Sequence, residues 1–462
     1  MPTIELGELT AGAAAEVSGP GGTARRRTSR RRVPRSALLA AVLAGLLGTV
    51  VAGDPLPRGW PEVTVPARLG ATVFADRDRL FVAEPRQAGE PGPELAAYRL
   101  PEVEPDWRVA LPTDEVDSLQ SVGDHLLALT YPRPSGRQAR LTVLDVPAGV
   151  VAWTRDVSLM AVSTGDDLVL WASVEQRRPD GENGPGTLEV VDTASGAVRW
   201  SLPVPAGAQP ALDLSGGGPA GPVRASTLVV TLPTGRVEVR DLGTGAILRT
   251  IQLPPPGAGS RVDRRAEVAA GLFLVYDEST VSAYGLPRLD RRWSVPFQPV
   301  VEYGPVACGV DLCSMRPQHG VSLRDRRTGV IRWSDERWTG VWGTGGVLFG
   351  TRADTGAAES LSVLDPATGQ ALADLGPWAF VVPRGSRFVG LRYGADQRAW
   401  VVEFDTATWR SRLLAVLSGV SGNCGLTETV LYCRRPDASV GVWRLPGQPA
   451  GPRLAESLVG HG

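Results

Sequence analysis

One thirteen-residue phrase recurs through this 462-residue chain and constrains its fold more than any other feature. LTVLDVPAGVVAW ends at Trp153, LEVVDTASGAVRW at Trp200 and VSLRDRRTGVIRW at Trp333. In each copy an Asp stands eight residues before the Trp and a Gly four residues after the Asp: Asp145/Gly149, Asp192/Gly196 and Asp325/Gly329. Weaker copies hold Asp241 with Gly245 and Asp365 with Gly369, while VSAYGLPRLDRRW puts Gly285 in the Asp place but keeps Trp293. Degenerate copies surround Asp405 and Trp107. Successive copies from Asp145 to Asp405 lie 40 to 49 residues apart. A fixed period of that size means a supersecondary unit that buries its apolar face only by stacking on its neighbours, in a solenoid or a ring.

The unit reads as four antiparallel strands. In the sixth copy they are expected near Gly304–Cys308, Leu312–Arg316, Gly320–Arg324 and Val330–Ser334. Period-two alternation is clearest in the third strand, where Val143, Val190, Val239, Val321 and Val363 share one face. The Asp is expected to accept hydrogen bonds from the turn amides that follow it, and the Gly to supply a positive φ. The Trp is expected to wedge between neighbouring units from the outer strand. Asp, Gly and Trp are thus structural, not catalytic. No helix is expected between units, so the fold class is all-β: a β-propeller of four-stranded blades, eight expected and seven to nine possible. Nine second/third-strand pairs can be counted. The last, Val430–Cys433 with Ser439–Arg444, lacks a fourth strand, which the segment near Pro61–Val65 could supply to close the ring.

The consensus A/L-x-D-x-x-T-G-x-x-x-W resembles the pyrroloquinoline-quinone (PQQ)-like, quinoprotein-type β-propeller repeat, also used by outer-membrane assembly propeller lipoproteins. The resemblance covers roughly residues 60–445. It implies a disc with a central channel, and the same repeat serves both enzymes and binding scaffolds. The quinone enzymes of the family use an adjacent Cys-Cys disulfide and a calcium site of Glu, Asn and Asp. Here no two cysteines are adjacent and Asn occurs only at 183 and 423. No cofactor-binding, metal or catalytic residue carries over, and no cofactor is expected.

The amino-terminal region places the body. Residues 1–35 carry seven arginines, from Arg25 to Arg35, against Glu5, Glu8 and Glu16. They read as a disordered cytoplasmic tail with an Arg-rich end. Residues 36–53 read as a single transmembrane helix, its apolar part at 37–53, with the arginines holding the amino terminus inside. Residues 54–462 then form an extracytoplasmic propeller. A cleaved signal peptide ending near Val50-Val51-Ala52, or a twin-arginine export signal at Ser29–Arg35, would deliver the body to the same side. No cysteine ends the apolar stretch, so there is no lipobox.

Composition narrows the chemistry further. All 48 basic residues are arginine; without lysine there is neither a P-loop nor a Schiff base. A formal net charge of −1, with the positive excess at the amino terminus, leaves no footprint for nucleic acid. Outside the membrane thiols oxidise, so Cys308–Cys313 and Cys424–Cys433, each spanning a first-to-second-strand turn, are expected disulfides. Gly419–Asn423 misses a nucleophile elbow, Gly343–Gly346 precedes no helix, and Asp180–Gly184 lacks EF-hand spacing.

One asymmetry suggests function. Loops between second and third strands are long at Glu84–Leu95, Pro132–Arg140, Glu175–Gly186 and Thr351–Ser360, all on the rim opposite the Asp turns. Repeat proteins tend to bind through such insertions. Arg86, Arg133, Arg137, Arg177 and Arg178, with Glu90, Glu94 and Glu182, would give that rim mixed charge. A further insertion, Pro205–Arg224, is Gly/Pro-rich and expected to be flexible. The expected function is a membrane-anchored, non-catalytic scaffold for an extracytoplasmic protein or envelope polymer. The alternative is a propeller hydrolase or lactonase with an Asp/Glu-held metal in the channel.

Overall fold

A computed structural model describes residues 60–446 apart from 90–91, 132–138, 174–184, 217–221, 256–264, 278, 299–301, 317–319, 353–358 and 395. Among the described residues 36 strands fall into seven four-stranded sheets and one eight-stranded sheet, with no helix. The eight-stranded sheet is two consecutive units joined edge to edge, so the repeat forms nine blades. We number them I to IX: residues 72–110, 118–155, 158–204, 209–252, 265–296, 303–335, 340–376, 380–418, and 422–444 with 62–65. Within each blade the strands are a to d, from the first to the last in the sheet.

Nine blades correct the expectation of eight. The final pair of strands belongs to a full blade, because Glu62–Val65 pairs antiparallel with Val440–Arg444, from Glu62↔Trp443 to Val65↔Val440, and completes blade IX. The expected closure by the segment near Pro61–Val65 is therefore present. Arg435 pairs with Glu62 across the join, and Arg434 donates to the carbonyl of Ala71 in the linker to blade I. The sixth unit folds as anticipated to within two residues, as Tyr303–Cys308, Asp311–Arg316, Gly320–Arg324 and Ile331–Asp335.

The core lies between blades, not within them. Each blade is a sheet with two apolar faces, and each of nine buried clusters joins two consecutive blades. Phe81 and Leu95 of blade I meet Leu126 and Leu144 of blade II. Phe349 and Val363 of blade VII meet Phe388 and Phe404 of blade VIII. Val65 and Val442 of blade IX meet Leu80 and Val82 of blade I. Nine clusters for nine interfaces means that every sheet face is covered and the ring is closed, which removes exposed sheet faces that would otherwise aggregate.

The repeated Asp, Gly and Trp act together across these interfaces. Asp192 Oδ1 accepts from the Ser195 amide at 2.9 Å, and Asp325 Oδ1 from Arg327 and Thr328 amides at 2.9 Å each. The turn places Gly196 at φ +66°. Above it lies Trp153 of the preceding blade, whose ring would meet a Cβ on Gly196 at 2.9 Å and whose Nε1 donates to the Thr193 carbonyl at 2.8 Å. The same pairing joins Trp107 to Gly149, Trp200 to Gly245, Trp293 to Gly329 and Trp333 to Gly369. Glycine is thus required twice, by its φ and by the ring that covers it.

Where strand d lacks the Trp, the next turn lacks the Gly. Arg249 occupies the Trp register in blade IV, and Leu289 holds the turn position of blade V at φ +56°. Ala373 of blade VII faces the turn of blade VIII, where Trp409 takes φ +53° and packs on Phe349 and Phe388. Val63 of blade IX precedes Val103 of blade I at φ +64°. The ring is supplied from one side of the interface or the other, and the volume is filled either way.

Both expected disulfides are formed, Cys308–Cys313 and Cys424–Cys433, each tying strand a to strand b. The segment expected to be flexible is not a loop throughout. Gln209–Gly216 is strand a of blade IV, and strand b begins at Val223 and pairs in parallel with blade III, Val162↔Arg224 and Ser163↔Ala225. Its glycines and prolines read as a linker locally; the hydrogen-bonding edge that orders its flanks belongs to another blade.

Candidate docking face

Strand direction sorts the loops. Strand a runs away from one face, strand b returns to it, and the b–c loops together with the connections between blades lie there. The a–b hairpins and the Asp turns lie on the opposite face. The four long loops therefore belong to one face, but much of them falls outside the described residues, including Arg133, Arg137, Arg177, Arg178, Glu90 and Glu182. Arg86 is described: its Nη1 lies 2.5 Å from Asp114 Oδ1 in the linker to blade II. Nearby Arg140 Nε lies 2.6 Å from Asp156 Oδ1, and Arg352 pairs with Asp374. Glu94 Oε1 accepts from Arg108 at 3.0 Å. Among the described residues these charges are held as ion pairs between loop bases and neighbouring strands or linkers.

Aromatic and apolar side chains complete this face. Tyr303, at the start of strand a in blade VI, is 64 % exposed; Tyr131, just past strand b of blade II, is 50 % exposed; Tyr393, ending strand b of blade VIII, is 37 % exposed. These are the tyrosines among the exposed large hydrophobics of the described residues, and all three sit at the loop-bearing face. Tyr131 Oη shares a hydrogen bond with Ser118 Oγ at 2.9 Å, which orients the ring. Partial burial raises the Tyr393 phenol above its ordinary pKa, with a backbone hydrogen bond at Cys424 opposing it. Leu69 in the linker from blade IX to blade I and Met315 beside Tyr303 are also exposed there. Sequence reading missed these residues because it looked for charge inside the loops. A tyrosine at a strand end beside a long loop was the signal available for Tyr131; Tyr303 and Tyr393 adjoin short connections and had none.

The opposite face also exposes apolar side chains, Val310, Val330 and Leu372 among them, but no tyrosine among the described residues. Its Asp turns hold carboxylates whose pKa is depressed: Asp325 chiefly by Arg332 and the Thr328 amide, Asp192 chiefly by the Ser195 amide, Asp405 chiefly by the Thr408 hydroxyl. Carboxylates so engaged are turn locks and poor proton acceptors. Among the described residues no group of three or more His, Cys, Asp or Glu is arranged to hold a metal ion. No helix among them is long and apolar enough to cross a membrane, and the segment expected to do so, 36–53, lies outside them.

Antiparallel four-stranded blades in a closed ring make this chain a β-propeller. No family model matches the sequence, nor does any curated protein; the PQQ-like resemblance is a likeness of motif. Among solved structures, a eukaryotic initiation factor aligns with TM-score 0.50 and 12 % identity over 81 % of this chain and 95 % of that one. BamB from Moraxella catarrhalis aligns with TM-score 0.37 and 12 % identity over 86 % of this chain and all of that one. The Cps50 (Swd1) β-propeller domain of Myceliophteria thermophila gives 0.31 and 12 % over 63 % of this chain and 96 % of that one.

Proposed function

We propose that this propeller is a non-catalytic scaffold that docks a protein on its loop-bearing face. The observation that carries the reading is the segregation of Tyr131, Tyr303 and Tyr393 to the face that also holds the Arg86, Arg140 and Arg352 ion pairs. Tyrosine, methionine and arginine are the side chains enriched in protein interfaces, because they offer much contact area and a polar handle for little entropy. Residues 36–53 anchor the disc in the membrane with the amino terminus in the cytoplasm and the propeller outside. The two disulfides support an oxidising compartment.

Site-specific photocrosslinking in intact cells tests this. A crosslinker at Tyr131, Tyr303 or Tyr393 should trap one and the same discrete partner, whereas one at Val150 or Val330 on the Asp-turn face should not. Equal labelling from both faces, or no adduct from the tyrosines, defeats the proposal. A reporter joined after residue 446 tests the topology: activity in the cytoplasm would overturn it.

A further inference from the structure

Three blades place an arginine against the carbonyl of the glycine in their Asp turn. In blade IV, Arg240 Nη1 donates to the Gly245 carbonyl at 3.0 Å, while its Nε and Nη2 donate to Glu238 Oε2 at 3.1 and 2.6 Å. In blade III the arginine comes from the preceding blade: Arg155 Nη2 donates to the Gly196 carbonyl at 2.7 Å and Nη1 to Glu189 Oε2 at 3.0 Å. Glu189 and Glu238 hold the same place, three residues before the Asp of their turns. In blade VI, Arg324 Nη1 donates to the Gly329 carbonyl, but the carboxylate's place is held by Ser322.

Arg324 is 5 % exposed, and its Nε is buried without a protein hydrogen-bond partner. Two more such atoms share its surroundings, the hydroxyls of Ser322 and Ser314. Register puts Ser314 directly across from Ser322, with Arg324 two residues further along the same strand face. That face looks toward blade V, since Leu312 packs with Leu274, Ala283 and Trp293 while Cys313 and Leu323 pack toward blade VII. Ser322 also sits opposite Ser334 in strand d, the arrangement by which Ser282 bonds Ser294 at 2.9 Å in blade V and Thr142 bonds Thr154 at 3.2 Å in blade II. Ser322 makes no such bond. Residues opposite the glutamates in blades III and IV are Leu170 and Val230, so the second serine also adds a donor that the carboxylate-bearing blades lack.

We propose that Arg324, Ser322 and Ser314 form a buried site for a single small monovalent anion, a halide, seated where blades III and IV carry a glutamate carboxylate. A guanidinium stays charged in proteins, and a buried one that must share its only nearby carboxylate among the described residues with a second arginine is left short of counter-charge. Glu302, whose charge reaches Arg324, takes Arg316 on Oε2 at 3.3 Å and keeps Oε1 buried without a partner, so one carboxylate faces two arginines. One guanidinium N–H and two hydroxyls, all buried without a partner, lie on the same strand face, beside the apolar contact that Leu312 makes with blade V. That geometry suits a monatomic ion better than a phosphate, which needs donors on several sides.

Bromide provides the test. Crystals of the propeller grown in sodium bromide should show an anomalous peak within hydrogen-bonding distance of Arg324 Nε. In solution, Tm should rise by about 2 °C for each tenfold increase in chloride above saturation at constant ionic strength, with gluconate as the inert balance. Ser322→Glu supplies the carboxylate in the manner of blade IV; it should fold, lose the anomalous peak and lose the chloride dependence. No bromide peak at Arg324 in the wild-type protein overturns the proposal, as does a chloride dependence that survives in Ser322→Glu.

Discussion

Replacing Trp153 by alanine removes one wedge between blades II and III. The indole covers Gly196 and donates to the Thr193 carbonyl, yet one edge remains solvent-accessible. The loss should therefore sit at the low end of the range for a large aromatic, about 3 kcal/mol. For a propeller of about 400 residues the unfolding entropy is ~0.8 kcal/mol/K, so Tm should fall by ~4 °C. Gly196→Ala is costly for two separable reasons: an L side chain at φ +66°, about 1–2 kcal/mol, and a Cβ set 2.9 Å from the Trp153 ring, about another 1–2 kcal/mol. Only the second depends on Trp153. Denaturant unfolding of the wild type, both single variants and the double variant should thus give a coupling of about 1–2 kcal/mol, with alanine at 196 cheaper once the ring is gone. The turn at Trp409, opposite Ala373, already shows a bulky residue tolerated where the facing ring is absent. Additivity within about 0.5 kcal/mol would refute the wedge-and-glycine account.

Other perturbations reach different parts of the fold. Unless the protein is first reduced, none of the four cysteines should take up an alkylating reagent, and Cys308→Ser with Cys313→Ser should cost about 2 kcal/mol for a five-residue separation. Removing residues 57–65 should expose the edge of Val440–Arg444 and lower Tm, with dimers or aggregates appearing in size-exclusion chromatography; an unchanged monomer would contradict closure by that strand. Acid should destabilise. The depressed carboxylates Asp192, Asp325, Asp365 and Asp405 contribute stability that is fully present above their unfolded pKa and is lost as pH falls through the lower folded values. Asp167 and Asp213, raised chiefly by burial, work in the opposite sense. With more carboxylates depressed than raised, Tm should hold from pH 8 to about 5 and decline below about 4. A Tm that rises on acidification from pH 5 to 3 would overturn that balance.

Much of this molecule is legible in one dimension, because its information is local. Alternation of Val321 and Leu323 with Ser322 and Arg324 announces a strand, Asp325 with Gly329 announces the turn, and a cysteine at each end of a short hairpin announces a disulfide. These features depend on residues within a few positions of one another. The segment at 62–65 was recognisable as a closing strand because one unit visibly lacked its fourth.

Relations between blades are another matter. The sequence offers a closing strand near Pro61–Val65, but that it pairs with Val440–Arg444 to make a ninth blade is decided by ring closure. Whether a turn needs glycine is set by the preceding blade, so Leu289 and Trp409 look like lost motifs until Arg249 and Ala373 are seen opposite them. The parallel pairing of blades III and IV, the gathering of Tyr131, Tyr303 and Tyr393 on one face and the carboxylate missing beside Arg324 likewise arise from juxtaposition. Short-range backbone preferences write the strands and turns into the sequence, whereas packing between sheet faces depends on shape, volume and charge brought together only when the ring closes.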